Sequence, residues 1–290
     1  MVLPDDINIA SIYASADSNP RSMLLTKPNI EQYARNFAVS PRLEFVERCK
    51  AFSMLHHETL LLLNFFARWA RGPILEIGPY TGASTVAMAA GLKECGGGPI
   101  VTIEAGGLYD HPQIPSEDII ADLRKNLLAF QLEEQVRIIK GWSDRRMTIG
   151  SVRRLLPRYS VDLFVIDADG AVGRDFWIYE PLLADGCVLV FDDYESEASS
   201  QKARPVSTWV KRAIRRRMVV DLGVYLWGTW VGQYLRPSAT KRAIFRFRDV
   251  PMYIPRVGNL TARTRIPVWK ARRLMMRLRG GRPIRHRPDK

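Results

Sequence analysis

The stretch 73–85, Pro-Ile-Leu-Glu-Ile-Gly-Pro-Tyr-Thr-Gly-Ala-Ser-Thr, constrains this chain more than any other. Ile74, Leu75 and Ile77 make a short apolar strand, Gly78 and Gly82 break it, and small apolar residues at helical spacing follow through residue 92. Glycines at such a turn let the backbone come close to a ligand, and free N–H groups opening the next helix hold a carboxylate or phosphate. A phosphate loop would need Gly-Lys-Ser/Thr, but Ala83 and Ser84 follow Gly82. A dinucleotide turn would need Gly-x-Gly-x-x-Gly, whereas this one runs Glu-x-Gly-x-x-x-Gly.

From Ile74 onward apolar runs alternate with helical patterns. Strands are expected at 74–77, 100–104, 136–140, 163–167 and 187–191, with helices at 84–93, 117–130, 148–156 and 174–183. This alternation predicts parallel strands joined by crossover helices on both faces of a sheet. Two helices, at 42–50 and 55–69, lead into it, and a helix at 202–217 follows it. Residues 219–227 and 229–235 then read as a hairpin turning near Gly228, its Trp and Tyr residues serving packing. The expected fold is α/β, a doubly wound, mostly parallel seven-stranded sheet with an antiparallel terminal hairpin. Residues 1–40, interrupted by Pro4, Pro20 and Pro28, read as irregular. The division is into an arm with lid helices over 1–54, a sheet domain over 55–235, and an extension over 236–290.

The formal charge of +13 is unevenly spread. From Arg236 to the end, 17 Lys or Arg stand against two acids, Asp249 and Asp289, a net +15 that leaves the first 235 residues at −2. A near-neutral body with a basic appendage is the reading, and such an appendage attracts anionic membrane or nucleic acid. Residues 269–279 suggest a short helix whose apolar arc is interrupted by Arg272 and Arg279. Cys49, Cys95 and Cys187 have no paired or metal-like spacing, which predicts a reducing compartment. The first residues show no basic region followed by an apolar run, and no stretch is long and apolar enough for a bilayer, so the expected location is cytoplasmic.

Four acids cluster by position. Asp167 and Asp169 end the fourth strand, and Asp192 and Asp193 end the fifth. In a parallel sheet both sets emerge at the carboxyl edge, beside the crevice where ligands bind. Gathered carboxylates raise one another's pKa unless a cation sits among them, and a hard divalent ion such as Mg²⁺ takes oxygen ligands of this kind. Glu104 ends the second strand, where an acid can accept both hydroxyls of a ribose.

The order Glu76, Gly78, Gly82, Ser84 resembles motif I of the Rossmann-like class I methyltransferases, which bind S-adenosylmethionine (SAM), and Glu104 stands at the spacing that family uses. Asp167 with Asp192 and Asp193 resembles the Mg²⁺-dependent O-methyltransferases of sugar-bearing natural products, the macrocin O-methyltransferase-like group, related to the catechol and caffeoyl-CoA enzymes. The resemblance implies a SAM site of Glu76, Gly78, Tyr80, Gly82, Ser84, Glu104, Ser143 and Asp167, with Trp142 beside the adenine. It implies metal ligands Asp167, Asp192 and Asp193, and Asp169 as general base. Asp193 replaces the Asn of the catechol branch and no Lys follows Asp167, which favours the sugar branch; Gly170-Ala171-Val172 stand where many sugar-branch relatives carry His. His56 and His57 are a further source of a base.

The expected activity is methylation of a hydroxyl on a small hydroxylated molecule, since a metal lowers a hydroxyl's pKa and placement against the sulfonium does most of the rest. The rivals are an RNA methyltransferase using the basic extension, and a SAM-binding scaffold without turnover. Against the RNA enzyme, Asp167-Ala-Asp-Gly stands where an exocyclic-amine enzyme shows an Asn/Asp-Pro-Pro-Tyr/Phe motif. A second copy of this chain is a candidate partner.

Overall fold

The inner strands β1, β2 and β4 bury both faces, and this follows from their sequence. Runs such as Ile-Leu-Glu-Ile and Val-Asp-Leu-Phe-Val-Ile carry apolar side chains at successive positions, as strands covered on both sides must. The computed structural model describes residues 25–36, 42–194, 200–225 and 228–249. They form α1 (Lys27–Asn36), α2 (Arg42–Lys50), α3 (His57–Trp69), β1 (Ile74–Ile77), α4 (Ala83–Cys95), β2 (Ile100–Glu104) and α5 (Ile119–Ala129). There follow β3 (Val136–Lys140), α6 (Arg146–Leu155), β4 (Val161–Ile166), α7 (Val172–Tyr179), β5 (Leu183–Phe191), α8 (Ser200–Arg215), β6 (Val219–Tyr225), β7 (Thr229–Tyr234) and α9 (Ala239–Asp249).

The sheet runs β3-β2-β1-β4-β5-β7-β6. The first five are parallel and β7 is antiparallel to both β5 and β6, which is the expected seven-stranded fold. Alternate residues feed two cores. Ile74, Ile100, Leu163 and Val188 pack under α3 and α4 on one face, while Leu75, Val101, Phe164 and Leu189 meet Phe176 and Trp209 of α7 and α8 on the other. Trp230, Tyr234 and Tyr225 of the hairpin are buried, packing as expected; Trp227 lies outside the described residues.

Three boundaries differ from expectation for identifiable reasons. Residues 27–36 form α1 instead of an irregular arm, since Pro28 sits in the first turn, where its missing N–H costs nothing, and Ile30 is fully buried. Helix α5 starts at residue 119 because Asp118 caps it, accepting from the N–H groups of Ile120 and Ala121 at 3.0 and 3.2 Å. Strand β5 begins at Leu183, four residues early, where Leu183 pairs with Val161 before a register shift.

Helix α9 belongs to the stretch read from sequence as a basic extension. Asp249 at its end is buried and accepts from Arg212 (3.2 Å), Arg216 (2.7 Å) and the Trp177 indole (2.9 Å). The expected helix at 269–279, and most of the basic stretch, lie outside the described residues. Among the described residues no helix is long and apolar enough to cross a membrane.

Candidate active site at the carboxyl edge of the sheet

Register alone builds the site. Ile77 of β1 lies beside Ile103 of β2 and Ile166 of β4, and Ile166 lies beside Phe191 of β5. One step further along each strand come Glu104, Gly78, Asp167 and Asp192, in one row across the rim.

The turn after β1 needs glycine twice, for different reasons. Gly78 has φ 85°, and a Cβ there would overlap the carbonyl oxygen of Asp167, so the ends of β1 and β4 approach only because no side chain intervenes. Gly82 has φ 94° and N-caps α4, and a Cβ on it would strike Leu123 of α5. Tyr80 between them also takes a positive φ, of 51°, an unfavourable region for an aromatic residue held by its surroundings. Its hydroxyl donates to the Ile114 carbonyl, and its ring meets Tyr109 edge-on at 5.6 Å.

Glu76 is buried beneath this turn. It accepts from the Ser84 hydroxyl and from the Thr85 hydroxyl at 2.6 Å, fastening β1 to the first turn of α4. Burial pushes its pKa up, and those hydroxyls oppose the shift. Glu76 and Ser84 therefore shape the turn from below. Glu104, 9% exposed, reaches across to the same turn. One oxygen accepts from the Tyr80 N–H at 3.1 Å and the other from the Gly106 N–H at 2.9 Å. Burial again raises its pKa against these backbone donors. A carboxylate has about four acceptor positions, so capacity for hydroxyl donors remains.

On the other side of the row, Asp167, Asp192 and Asp193 each offer an oxygen, and the three atoms lie within 4.8 Å of one another. Asp193 has φ 59°, the left-handed region that Asp tolerates better than most residues. The Thr229 hydroxyl of β7 donates to Asp192 at 2.7 Å and lies 3.3 Å from that of Thr59 in α3. No sequence signal marks this anchoring, since a lone Thr in a strand reads as packing.

Asp169 and Ser143 both bond to Arg174. Asp169 accepts from the Ala171 N–H at 3.0 Å and from Arg174 Nη1 at 3.1 Å. Ser143, buried, donates to Asp175 at 2.7 Å, and Arg174 Nη2 bonds Asp175 at 2.9 Å. Burial works against the Arg174 charge, yet Asp175 and Asp169 outweigh it and raise its pKa. Asp175, fully buried, has its own pKa raised by burial, with Arg174 and Ser143 opposing. A helix pattern alone left Arg174 and Asp175 indistinguishable from surface charges. Trp142, after β3, is 59% exposed.

Residues 75–194 match the family described as a methyltransferase domain. A search of curated proteins gives no match. Among solved structures, the chain is similar to the SAH-bound methyltransferase PaMTH1 of Podospora anserina, with 15% identity over 82% of this chain and 99% of that one, TM-score 0.51. It is likewise similar to cofactor-bound Rv0187 from MTB, with 20% identity over 74% and 100% and a TM-score of 0.51. The matched segment spans every strand whose end contributes to the rim, so residues 75–194 carry a methyltransferase domain.

Proposed function

We propose that this domain transfers the methyl group of SAM to a hydroxyl of a small molecule bearing neighbouring hydroxyls, such as a sugar or a phenolic natural product, with Mg²⁺ as the accompanying ion. The observation that carries this reading is the row across the rim. A buried acid suited to a ribose and three gathered carboxylates stand on either side of the glycine turn, on adjacent strands.

The residues fit both groups. Hydroxyls of a ribose find an acceptor in Glu104, whose orientation is fixed by two backbone donors. The N–H groups opening α4 face a carboxylate with the positive end of the helix. The SAH-bound state of the Podospora protein supports the choice of donor. Asp167, Asp192 and Asp193 are a hard oxygen set of the kind Mg²⁺ takes. Bound there, the ion would supply a lowered hydroxyl pKa and a fixed orientation for the acceptor.

The chain's own contribution is chiefly placement. The sulfonium is already an activated donor, so bringing an oxygen into line with methyl and sulfur accounts for most of the rate. Thr229 and Thr59 fix Asp192, and the Gly78 approach fixes Asp167 against β1. Trp142, exposed after β3, would be the residue available to stack on the adenine.

Calorimetry with SAM, followed by transfer of labelled methyl to catechols, sugar diols and total RNA, with and without chelator, tests this. Chelator-sensitive transfer to diols is expected. Ribonuclease-sensitive transfer that ignores chelator would replace the reading with an RNA enzyme, and SAM binding without transfer would replace it with a scaffold.

A further inference from the structure

The segment entering α3 is pinned to the rim at two points. The Thr81 hydroxyl, in the glycine turn, donates to the Phe52 carbonyl at 2.8 Å. Seven residues on, Thr59 meets Thr229, the residue that holds Asp192. The intervening turn is closed by Lys50, whose Nζ donates to the carbonyls of Ser53 at 3.1 Å and Leu55 at 2.7 Å. A segment tied to the turn of β1 at one end and to β7 and the β5 acid at the other spans the strand positions between them, where β4 delivers Asp167.

His56, His57 and Glu58 are the ionisable residues of that span. His56 Nδ1 lies 3.0 Å from Glu58 Oε2, the two imidazoles have centroids 4.4 Å apart, and His56 precedes Thr59 by three residues, which on a helix is the same side. His56 caps α3 without a side-chain hydrogen bond to its backbone. Asp169, the acid that family resemblance offered as base, is ion-paired with Arg174 at 3.1 Å.

Building on the O-methylation proposed above, we infer that His56, with Glu58 at its Nδ1, is the proton acceptor for the substrate hydroxyl. The substrate oxygen forms its bond to the methyl carbon as the carbon–sulfur bond breaks. The sulfur keeps that electron pair as a thioether, and the hydroxyl proton passes to His56 Nε2. Glu58 holds the tautomer with Nδ1–H and offsets the imidazolium charge, the arrangement a histidine base needs. The surroundings keep the ring neutral beforehand: burial first, then His57 and Lys50 of α2, lower its pKa, and Glu58 opposes them.

The test measures rate against pH for catechol with SAM and Mg²⁺, in wild type, His56→Gln and Glu58→Gln, together with SAM affinity. For His56→Gln the expected result is a loss of about 10²- to 10⁴-fold in kcat, loss of the acidic limb of the profile, and SAM affinity within about threefold of wild type. Glu58→Gln should lose less and shift that limb to lower pH. A His56→Gln enzyme that keeps wild-type rate and profile overturns the inference while leaving O-methylation intact. If wild type transfers nothing to any diol, the functional reading fails instead, and location is tested separately. Mn²⁺ should broaden the ring proton resonances of His56, assigned from His56→Gln, in wild type and not in Asp192→Ala. Sharp His56 resonances with Mn²⁺ bound in an Asp192-dependent manner overturn the inference whatever the substrate.

Discussion

The two halves of the rim treat their acids in opposite ways. On the β1–β2 side, Glu76 and Glu104 are buried singly, and each finds donors from its own neighbourhood: two hydroxyls of α4 for one, two backbone N–H groups for the other. On the β4–β5 side, three carboxylates are brought within 4.8 Å of one another. The first half is finished before any ligand arrives and is suited to a polar, hydroxyl-bearing group. The second is organised for positive charge. A single register, running through Ile77, Ile103, Ile166 and Phe191, makes both.

Substitutions that act on one half and spare the other test this contrast. Asp192→Ala should have the largest effect, lowering methyl transfer by about 10³-fold or more with SAM affinity in calorimetry near wild type; equal loss of both would mean that the halves are not separate. Gly78→Val acts where they join. Its side chain would meet the Asp167 carbonyl from a backbone with φ 85°, and chemical denaturation should show a loss of roughly 3 kcal/mol or more. Arg174→Met leaves Asp175 buried without its main partner, so unfolding should show a loss of about 3 kcal/mol.

The smallest effect concerns Glu76, and its sign follows from burial. Because the folded-state pKa is raised, the group stabilises the fold fully at pH below its unfolded pKa, and this contribution is lost as pH rises through the folded value. Wild type should therefore lose stability relative to Glu76→Gln on going upward from the ordinary carboxylate range, as read from thermal melts across pH. A difference that is flat with pH would show that the hydroxyls of Ser84 and Thr85 fully offset burial.

The strands and their order of acids were legible because both depend on short-range pattern. Apolar runs fix where β1 to β5 lie, and the acid after each run is carried to the edge by parallel pairing with no further information needed. Glycines at 78 and 82 were legible as a turn, but their separate tasks were not: one clears the Asp167 carbonyl and the other clears Leu123, and both partners are distant in sequence. The same limit hid Thr59, Thr229 and the Arg174–Asp175 pair, whose roles arise from contacts across 170 residues in one case and from burial of a charge pair in the other. Helix α1 was missed because a proline near its start reads as a breaker until the first turn is located.

The account stands on the acids of β4 and β5 sharing one ion beside the donor held by the β1–β2 side. A crystal of the protein soaked with SAM and Mn²⁺, measured for anomalous scattering, tests it most directly. The predicted map has one manganese peak among Asp167, Asp192 and Asp193, with the ribose hydroxyls on Glu104. A map with SAM ordered at Glu104 but no manganese among the three aspartates would contradict it.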